Sequence, residues 1–466
     1  MARTGTLIEA VMADIESKIA SRAYLPNTRL PSVRAQAKAM QVSVSTVVEA
    51  YDRLVAKGSI ISRPGAGFYT SGHIAPLDLN QIGPKVAREI DPLWVSKESL
   101  EAAPDSLMPG CGWLPSEWLY QTGIKRALRH LARSNSPDLT EYASPKGSLA
   151  FRQFLQRRLL GQNIEASSEQ IMLTESGTHA IDLIGRFLLS PGDTVLVDDP
   201  CYFNFHALLK AHRVNIVGIP YTPNGPDIEC FERALAEYQP RLYLTNSGVH
   251  NPTGAHLRHS VAHRLLTLAK ASELVIVEDD IFADLETTRA PRLAALDGLD
   301  QVIEIGSFSK TVSASVRCGY IAAKQDWIEQ LVDLKIATSF SGNRLDSEIV
   351  LQTLTDSGYR KHMEKLHGWL ARQRISVSKR LVSLGIEPWI QPKDGMFLWC
   401  RLPTGTNATK LAQDCLSKGV VLAPGNVFSQ SQSAHDYLRF NVAQCTDPKI
   451  FETLEWALER QIQEGP

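Results

Sequence analysis

Long hydrophobic runs are missing from this sequence. None approaches the ~18 residues that a membrane span requires, so no membrane partner is expected. Asp14, Glu16 and Lys18 interrupt the first apolar pattern, which speaks against a signal peptide. Cysteine is sparse and unorganised: the seven, at 111, 201, 230, 318, 400, 415 and 445, never form C-x-x-C. That argues against a disulfide framework or a zinc site, so no metal is expected, and it favours a reducing compartment. A cytoplasmic protein is expected. Excess charge is lacking as well, with a net of -1. The balance hides an asymmetry. Residues 1–73 carry nine Lys/Arg against five Asp/Glu, a net +4, which leaves -5 on the remainder. A mildly basic N-terminal segment is compatible with a nucleic-acid partner.

What is present is material for a large core. The chain has 466 residues, 44% hydrophobic and 21% charged, which suggests two or three domains. Leu7, Ile8, Val11, Met12, Ile15 and Ile19 fall at helical spacing, predicting an amphipathic helix over about 4–22. Pro26 stops it. Ser32 is a good N-cap for a second helix to about Met40. Gln41, Val42 and Ser43 form a tight break, and Ser45 and Thr46 open a third helix to about Lys57. Two helices joined by so short a turn form a helix-turn-helix, whose second helix enters the major groove. After Gly58, the turn Pro64–Gly67 joins Ile60-Ile61 to Phe68–Thr70 as a small hairpin, the wing of a winged helix. Prolines 76, 84, 92 and 104 then mark a linker, partly helical around Trp94–Leu100.

From about Ser106 short apolar runs alternate with helical patterns. Residues 171–173, 194–197, 214–217, 242–245, 274–277, 302–305 and 319–323 read as strands, with helices such as 231–238 and 261–271 between them. That is the pattern of a mostly parallel sheet covered on both faces. Ligands of such sheets sit beyond the carboxyl ends of the strands. Gly177, Thr178 and His179 follow the first strand and open a helix, where main-chain N–H groups can cradle a phosphate. Tyr202 follows the second and offers a ring for stacking. Asn251 lies in a rigid turn after 242–245, and Asp279 and Asp280 follow 274–277. Lys310 sits on the loop after 302–305, seven positions before Arg317. A partly desolvated loop lysine has a lowered pKa and a neutral amine to attack a carbonyl, and an arginine suits a phosphate. Near the C-terminus, Arg439 offers a fork for a carboxylate. Each motif alone has an ordinary explanation as a cap, a turn or core. As an ordered set, they are the parts that pyridoxal phosphate needs.

Two resemblances follow. The motifs LPSVR ending at Arg34, VSVST ending at Thr46, AYxxL ending at Leu54, Lys57-Gly58 and RPGAG ending at Gly67 resemble the GntR winged-helix DNA-binding domain over residues 4–71. The resemblance implies that Arg34 and the Ser43, Ser45 and Thr46 end of the third helix face DNA, and that Arg63 and Gly65 of the wing approach the minor groove. The sequence departs from many relatives in Val44 and Val48, where a DNA-contacting arginine is common. Either other side chains read the bases, or intrinsic affinity is modest. Residues 106–460 resemble fold-type I, aspartate-aminotransferase-like enzymes. That implies Lys310 as the Schiff-base lysine of pyridoxal 5'-phosphate, Asp279 on the pyridine nitrogen, Asn251 on the ring hydroxyl and Tyr202 stacked on the ring. Gly177, Thr178, His179, Ser307 and Arg317 would hold the phosphate, and Arg439 the ligand's α-carboxylate. His179 stands where glutamine is common, and Phe282 where many relatives have a tyrosine.

The order of parts resembles the MocR subfamily of GntR-type regulators. Implied are a winged-helix domain over 1–72, a linker over 73–105 and an aminotransferase-like domain over 106–466. Also implied are a homodimer, DNA as partner, and an amino acid or amine sensed through aldimine formation, with at most residual aminotransferase activity. The alternative is an aminotransferase with an accessory domain. The Lys310, Asp279 and Arg317 set speaks against a cofactor-free sensor.

Overall fold

In the computed structural model, residues 6–20, 23–71, 93–134 and 139–464 are described. The linker expected over 73–105 lies outside them as far as residue 92. The chain divides into two compact units, a smaller one built on the N-terminal residues and a larger one.

The smaller unit has three helices, α1 (Leu7–Ala20), α2 (Val33–Met40) and α3 (Val44–Ala56). A hairpin follows, of β1 (Ile60–Arg63) and β2 (Gly67–Thr70) paired antiparallel. Ser32 caps α2 by accepting from Ala35 N. Ser43 rather than Ser45 or Thr46 caps α3, accepting from Thr46 N at 3.1 Å, so the helix starts a residue earlier than expected. Val47, Ala50, Tyr51 and Leu54 recur at helical spacing and are fully buried. They close a core with Val11, Ile15, Leu30, Ala37 and Ile60. Burying each large side chain contributes roughly 1.5–3 kcal/mol. Tyr51 pays no penalty for its hydroxyl, which donates to Pro31 O at 3.0 Å, while its ring packs edge-on against Phe68.

In the larger unit a short helix, α4 (Trp94–Leu100), precedes an eight-stranded sheet. Its strands are β3 (Ile171–Thr174), β4 (Thr194–Asp199), β5 (Asn215–Thr222), β6 (Gly225–Pro226), β7 (Leu242–Thr245), β8 (Val275–Asp279), β9 (Val302–Ser307) and β10 (Gly319–Ala322). Their spatial order is β3-β10-β9-β8-β7-β4-β5-β6. The β4–β7, β7–β8 and β8–β9 pairs are parallel, and β10 runs antiparallel to both neighbours. Every residue of β3, β7, β9 and β10 is buried, as strands covered on both faces must be. Between the strands run helices such as Gly177–Leu188, Ile228–Tyr238 and His259–Ala271.

A second, antiparallel sheet follows, of β11 (Glu387–Pro388), β12 (Phe397–Arg401), β13 (Ala423–Pro424) and β14 (Tyr437–Asn441), in the order β11-β12-β14-β13. Phe397, Leu398, Cys400, Leu438 and Phe440 of this sheet share a core with Leu366, Leu370 and Leu454 of the long flanking helices. No helix among the described residues is long and apolar enough to cross a membrane.

Candidate functional site

The carboxyl ends of β3, β4, β7, β8 and β9 open on one cavity, which Gly112 and Trp113 also line. Asp279 is the last residue of β8 and 6% exposed. Of the three successive acids, only Asp279 lines the cavity. Glu278 accepts from Ser247 Oγ and from the N–H groups of Leu293 and Ala294, both at 2.8 Å. Asp280 is paired with Arg292 at 2.8 Å. Asp279 has weaker support: Ile281 N donates to Oδ1 at 3.1 Å, and Asn246 Nδ2 to the main-chain oxygen at 2.9 Å. Burial outweighs these bonds and pushes the Asp279 carboxyl up to about 7.

Lys310, on the loop after β9, donates from Nζ to Gly112 O at 2.7 Å. Burial, reinforced by the Arg439 guanidinium, lowers its ammonium to about 8. Arg439 lies in β14 and is 1% exposed. Its Nη1 donates to Asn251 Oδ1 at 2.9 Å and its Nη2 to Gly110 O at 2.7 Å, while Nε has no partner among the described residues. The guanidinium rests on the rings of Phe397 and Phe428, at 4.3 and 4.7 Å. Burial lowers it to about 10, so it stays charged at neutral pH. Arg439 stands beside Gly112 rather than on the lining. A Cβ on Gly112 would lie 3.8 Å from Lys310 Nζ and 3.9 Å from Arg439 Nη2. The missing side chain leaves a space onto which both cations open.

At the other end of the cavity, Gly177 and Thr178 start the Gly177–Leu188 helix, whose first N–H groups have no intrahelical acceptor. Ser176, Ser307, Ser309 and the exposed Arg317 join them on the lining. Gly319 makes this arrangement possible, since a Cβ there would come within 2.8 Å of both Gly306 O and the Ser176 carbonyl carbon. Tyr202 and Asn251 also line the cavity. So does Phe282, whose ring lies 5.9 Å from Lys310 Nζ and packs edge-on against Phe397. The cavity thus joins an anion-binding helix start, hydroxyls and an arginine to a buried carboxylate and a lysine. That donor set suits a phosphorylated, aldehyde-bearing heterocycle.

Two expected residues are off the cavity lining: Arg439, which stands beside Gly112, and His179. The His179 Nδ1 accepts from Glu175 N at 3.3 Å, while the His179 main-chain N–H donates to Ser176 Oγ at 3.0 Å. Several lining residues were missed, among them Ser176, Ser309, Asn246, Gly112 and Trp113. Asn246 directly follows β7, so the strand-end rule could have found it. Gly112 and Trp113 come from a segment ahead of the first sheet strand, where no periodic signal marks them. Among the described residues no group of three or more His, Cys, Asp or Glu is placed to hold a metal ion.

On the smaller unit, Arg34, Ser43, Ser45 and Arg63 are exposed and Thr46 is half-buried. Ser43 Oγ lies 2.9 Å from Ser45 Oγ and 2.7 Å from Thr46 Oγ1, so the three hydroxyls form one cluster at the start of α3. Arg63 stacks over Tyr69 at 4.3 Å and donates to Asn27 Oδ1. Gly65 has a φ of +71°, and the wing tip around it is open.

These features define a winged-helix unit and a fold-type I unit with a lysine-bearing cavity in one chain. Residues 118–455 match the aminotransferase class I and II family, and the chain belongs to it. Residues 7–70 match the bacterial regulatory proteins of the gntR family, which together with the first match agrees with the MocR-type resemblance. The chain is similar to the uncharacterized HTH-type transcriptional regulators YdfD of Bacillus subtilis and YdcR of Escherichia coli. Each is 27% identical over 92% of this chain, covering 91% and 93% of the relative. Among solved structures, the kynurenine aminotransferase of Pyrococcus horikoshii in complex with PMP is 25% identical, with a TM-score of 0.72. That likeness covers 83% of this chain and 98% of that one.

Proposed function

We propose that the protein is a DNA-binding transcriptional regulator that holds pyridoxal 5'-phosphate in its larger unit and senses an amino acid or amine there. The observation that carries this is one cavity uniting Lys310 and Asp279, in a chain whose residues 7–70 match the gntR family. The proposed domain limits are 1–72, 73–105 for the linker and 106–466. Relatives named as HTH-type regulators, matched over 91% and 93% of their length, support the regulatory reading.

Lys310 Nζ is proposed to carry the cofactor, with Asp279 facing the pyridine nitrogen, Asn251 the ring hydroxyl and Tyr202 the ring face. Gly177, Thr178, Ser307 and Arg317 would hold the phosphate. When bound, the cofactor supplies an aldehyde carbon to which amines add and a protonated ring that withdraws electrons. Asp279 would gain the positive partner that its buried carboxylate lacks. The Arg439 fork would take the ligand carboxylate beside Gly112. A ligand with unequal affinity for two arrangements of the protein then shifts their populations, which is how occupancy would reach DNA.

A pH dependence follows. Only the neutral amine of Lys310 adds to a carbonyl, and its value of about 8 is well below the ordinary 10.5. Cofactor uptake by the apo protein should accelerate as pH rises through about 8. Uptake followed by visible absorbance that stays flat or slows over this range would contradict the depressed lysine.

The DNA partner is tested by duplex binding. Full-length protein should retain selected duplexes in a salt-sensitive way, with log K falling by about 0.9 per phosphate contact for each decade of salt. Protein lacking residues 1–73 should not. Equal retention of all duplexes would favour the second reading, an aminotransferase with an accessory domain, which uses the same cavity. We further propose a cytoplasmic homodimer that reads two half-sites. Tyr142 and Phe340 support it: they are 77% and 61% exposed, with ring centroids 5.0 Å apart. Such an open aromatic surface suits contact with a second copy.

A further inference from the structure

The outward face of α3 carries two side chains that folding does not require. Val44 and Val48 stand one turn apart, 49% and 41% exposed, while the core of this unit is served by Val47, Ala50, Tyr51 and Leu54. β-Branched residues lower helix propensity, and exposed ones recover little by burial. The other exposed positions in the first two turns are Ser45 and Glu49. Ser45 belongs to the hydroxyl cluster with Ser43, and Glu49 is paired with Arg53 at 2.8 Å. Arg or Lys would be needed to grip guanine bidentately and Asn or Gln to grip adenine, and none stands at those positions. Exposed Arg34 and Lys38 on α2 and Arg63 on the wing supply the positive charge that holds phosphates. Two isopropyl groups remain for the base edges. The apolar group that the major groove presents is the 5-methyl of thymine.

We infer that Val44 and Val48 read thymine through its 5-methyl group, so that the half-site under α3 is specified by methyl contacts. This rests on the DNA-binding reading above. The test begins by enriching duplexes from a random pool with the full-length protein. Each thymine of the enriched half-site is then replaced by deoxyuridine, which removes the methyl and leaves phosphates and hydrogen-bonding edges in place. Binding should weaken roughly fourfold at each thymine that meets a valine, the effect of one buried methyl-sized group. Val44→Ala and Val48→Ala should each abolish the uridine penalty at one position, with circular dichroism unchanged because both side chains are exposed. Uridine duplexes that bind as tightly as thymine duplexes, or a half-site without thymine, would overturn the inference. A pool in which nothing is enriched is a different result. It would sink the DNA-binding reading itself and take this inference with it.

Discussion

Replacing Lys310 with alanine should give a folded protein that stays colourless in pyridoxal phosphate, whereas the wild type turns yellow. The side chain makes one protein hydrogen bond, to Gly112 O, and that acceptor faces the cavity once the lysine is gone. Little packing is lost. Stability of the apo protein should change in a way that reports the depressed pKa. Because the folded-state value of about 8 lies below 10.5, the unfolded chain binds more protons between those values, and wild-type stability rises with pH there. Alanine should remove that rise. Cofactor should raise the melting temperature of the wild type and leave that of the variant where it was. A variant that keeps the visible band would show that another group carries the cofactor. A wild type that stays colourless after reconstitution would remove the basis for the proposed site.

Substituting Arg439 should separate cofactor binding from sensing. Two of its N–H groups are spent on Asn251 Oδ1 and Gly110 O, which fixes the guanidinium beside the space at Gly112. Nε and the remaining hydrogens of both Nη atoms are left for a ligand. Charge-assisted bonds of this kind contribute about 1.5–3 kcal/mol each, so Arg439→Ala should weaken an amino-acid ligand roughly a hundredfold. The yellow colour should persist, since Lys310 and Asp279 are untouched. Stability should fall as well, by roughly 1–3 kcal/mol for each acceptor left without its donor. Arg439→Lys keeps the charge but not the planar fork, and it should restore only part of the response. An amino-acid response unchanged in Arg439→Ala would refute the carboxylate role.

Much of this architecture is legible in the chain because punctuation and period agree. Pro26, Ser32, Gly58 and the Pro64–Gly67 turn bracket the small unit, and Val47, Ala50, Tyr51 and Leu54 announce the buried face of α3. Its start is a residue early because Ser43, Ser45 and Thr46 are all competent caps, and only the backbone geometry selects Ser43. In the large sheet the apolar runs locate the strands and blur their ends. The strand expected over 214–217 begins at Asn215 and continues to Thr222, since its outer half alternates in burial and loses the apolar signal. Strand ends likewise point to the cavity, but not to which neighbour faces it. Glu278, Asp279 and Asp280 are three acids in a row, and their division of labour depends on Ser247 and Arg292, brought in by other loops. His179 follows the cradle glycine, yet the first turn of its helix rotates the ring toward Glu175. Gly112 and Trp113 reach the site by long-range folding alone.

The central claim is that ligand chemistry in the larger unit governs DNA binding by the smaller one. Its most direct test is a footprint of cofactor-loaded, full-length protein on the DNA upstream of its own coding region, repeated with each amino acid in turn. The account predicts protection at two half-sites that changes with the amino acids that also alter the protein's visible spectrum, and no change in Arg439→Ala. Protection indifferent to every amino acid that alters the spectrum would contradict it and leave an enzyme with a DNA-binding appendage.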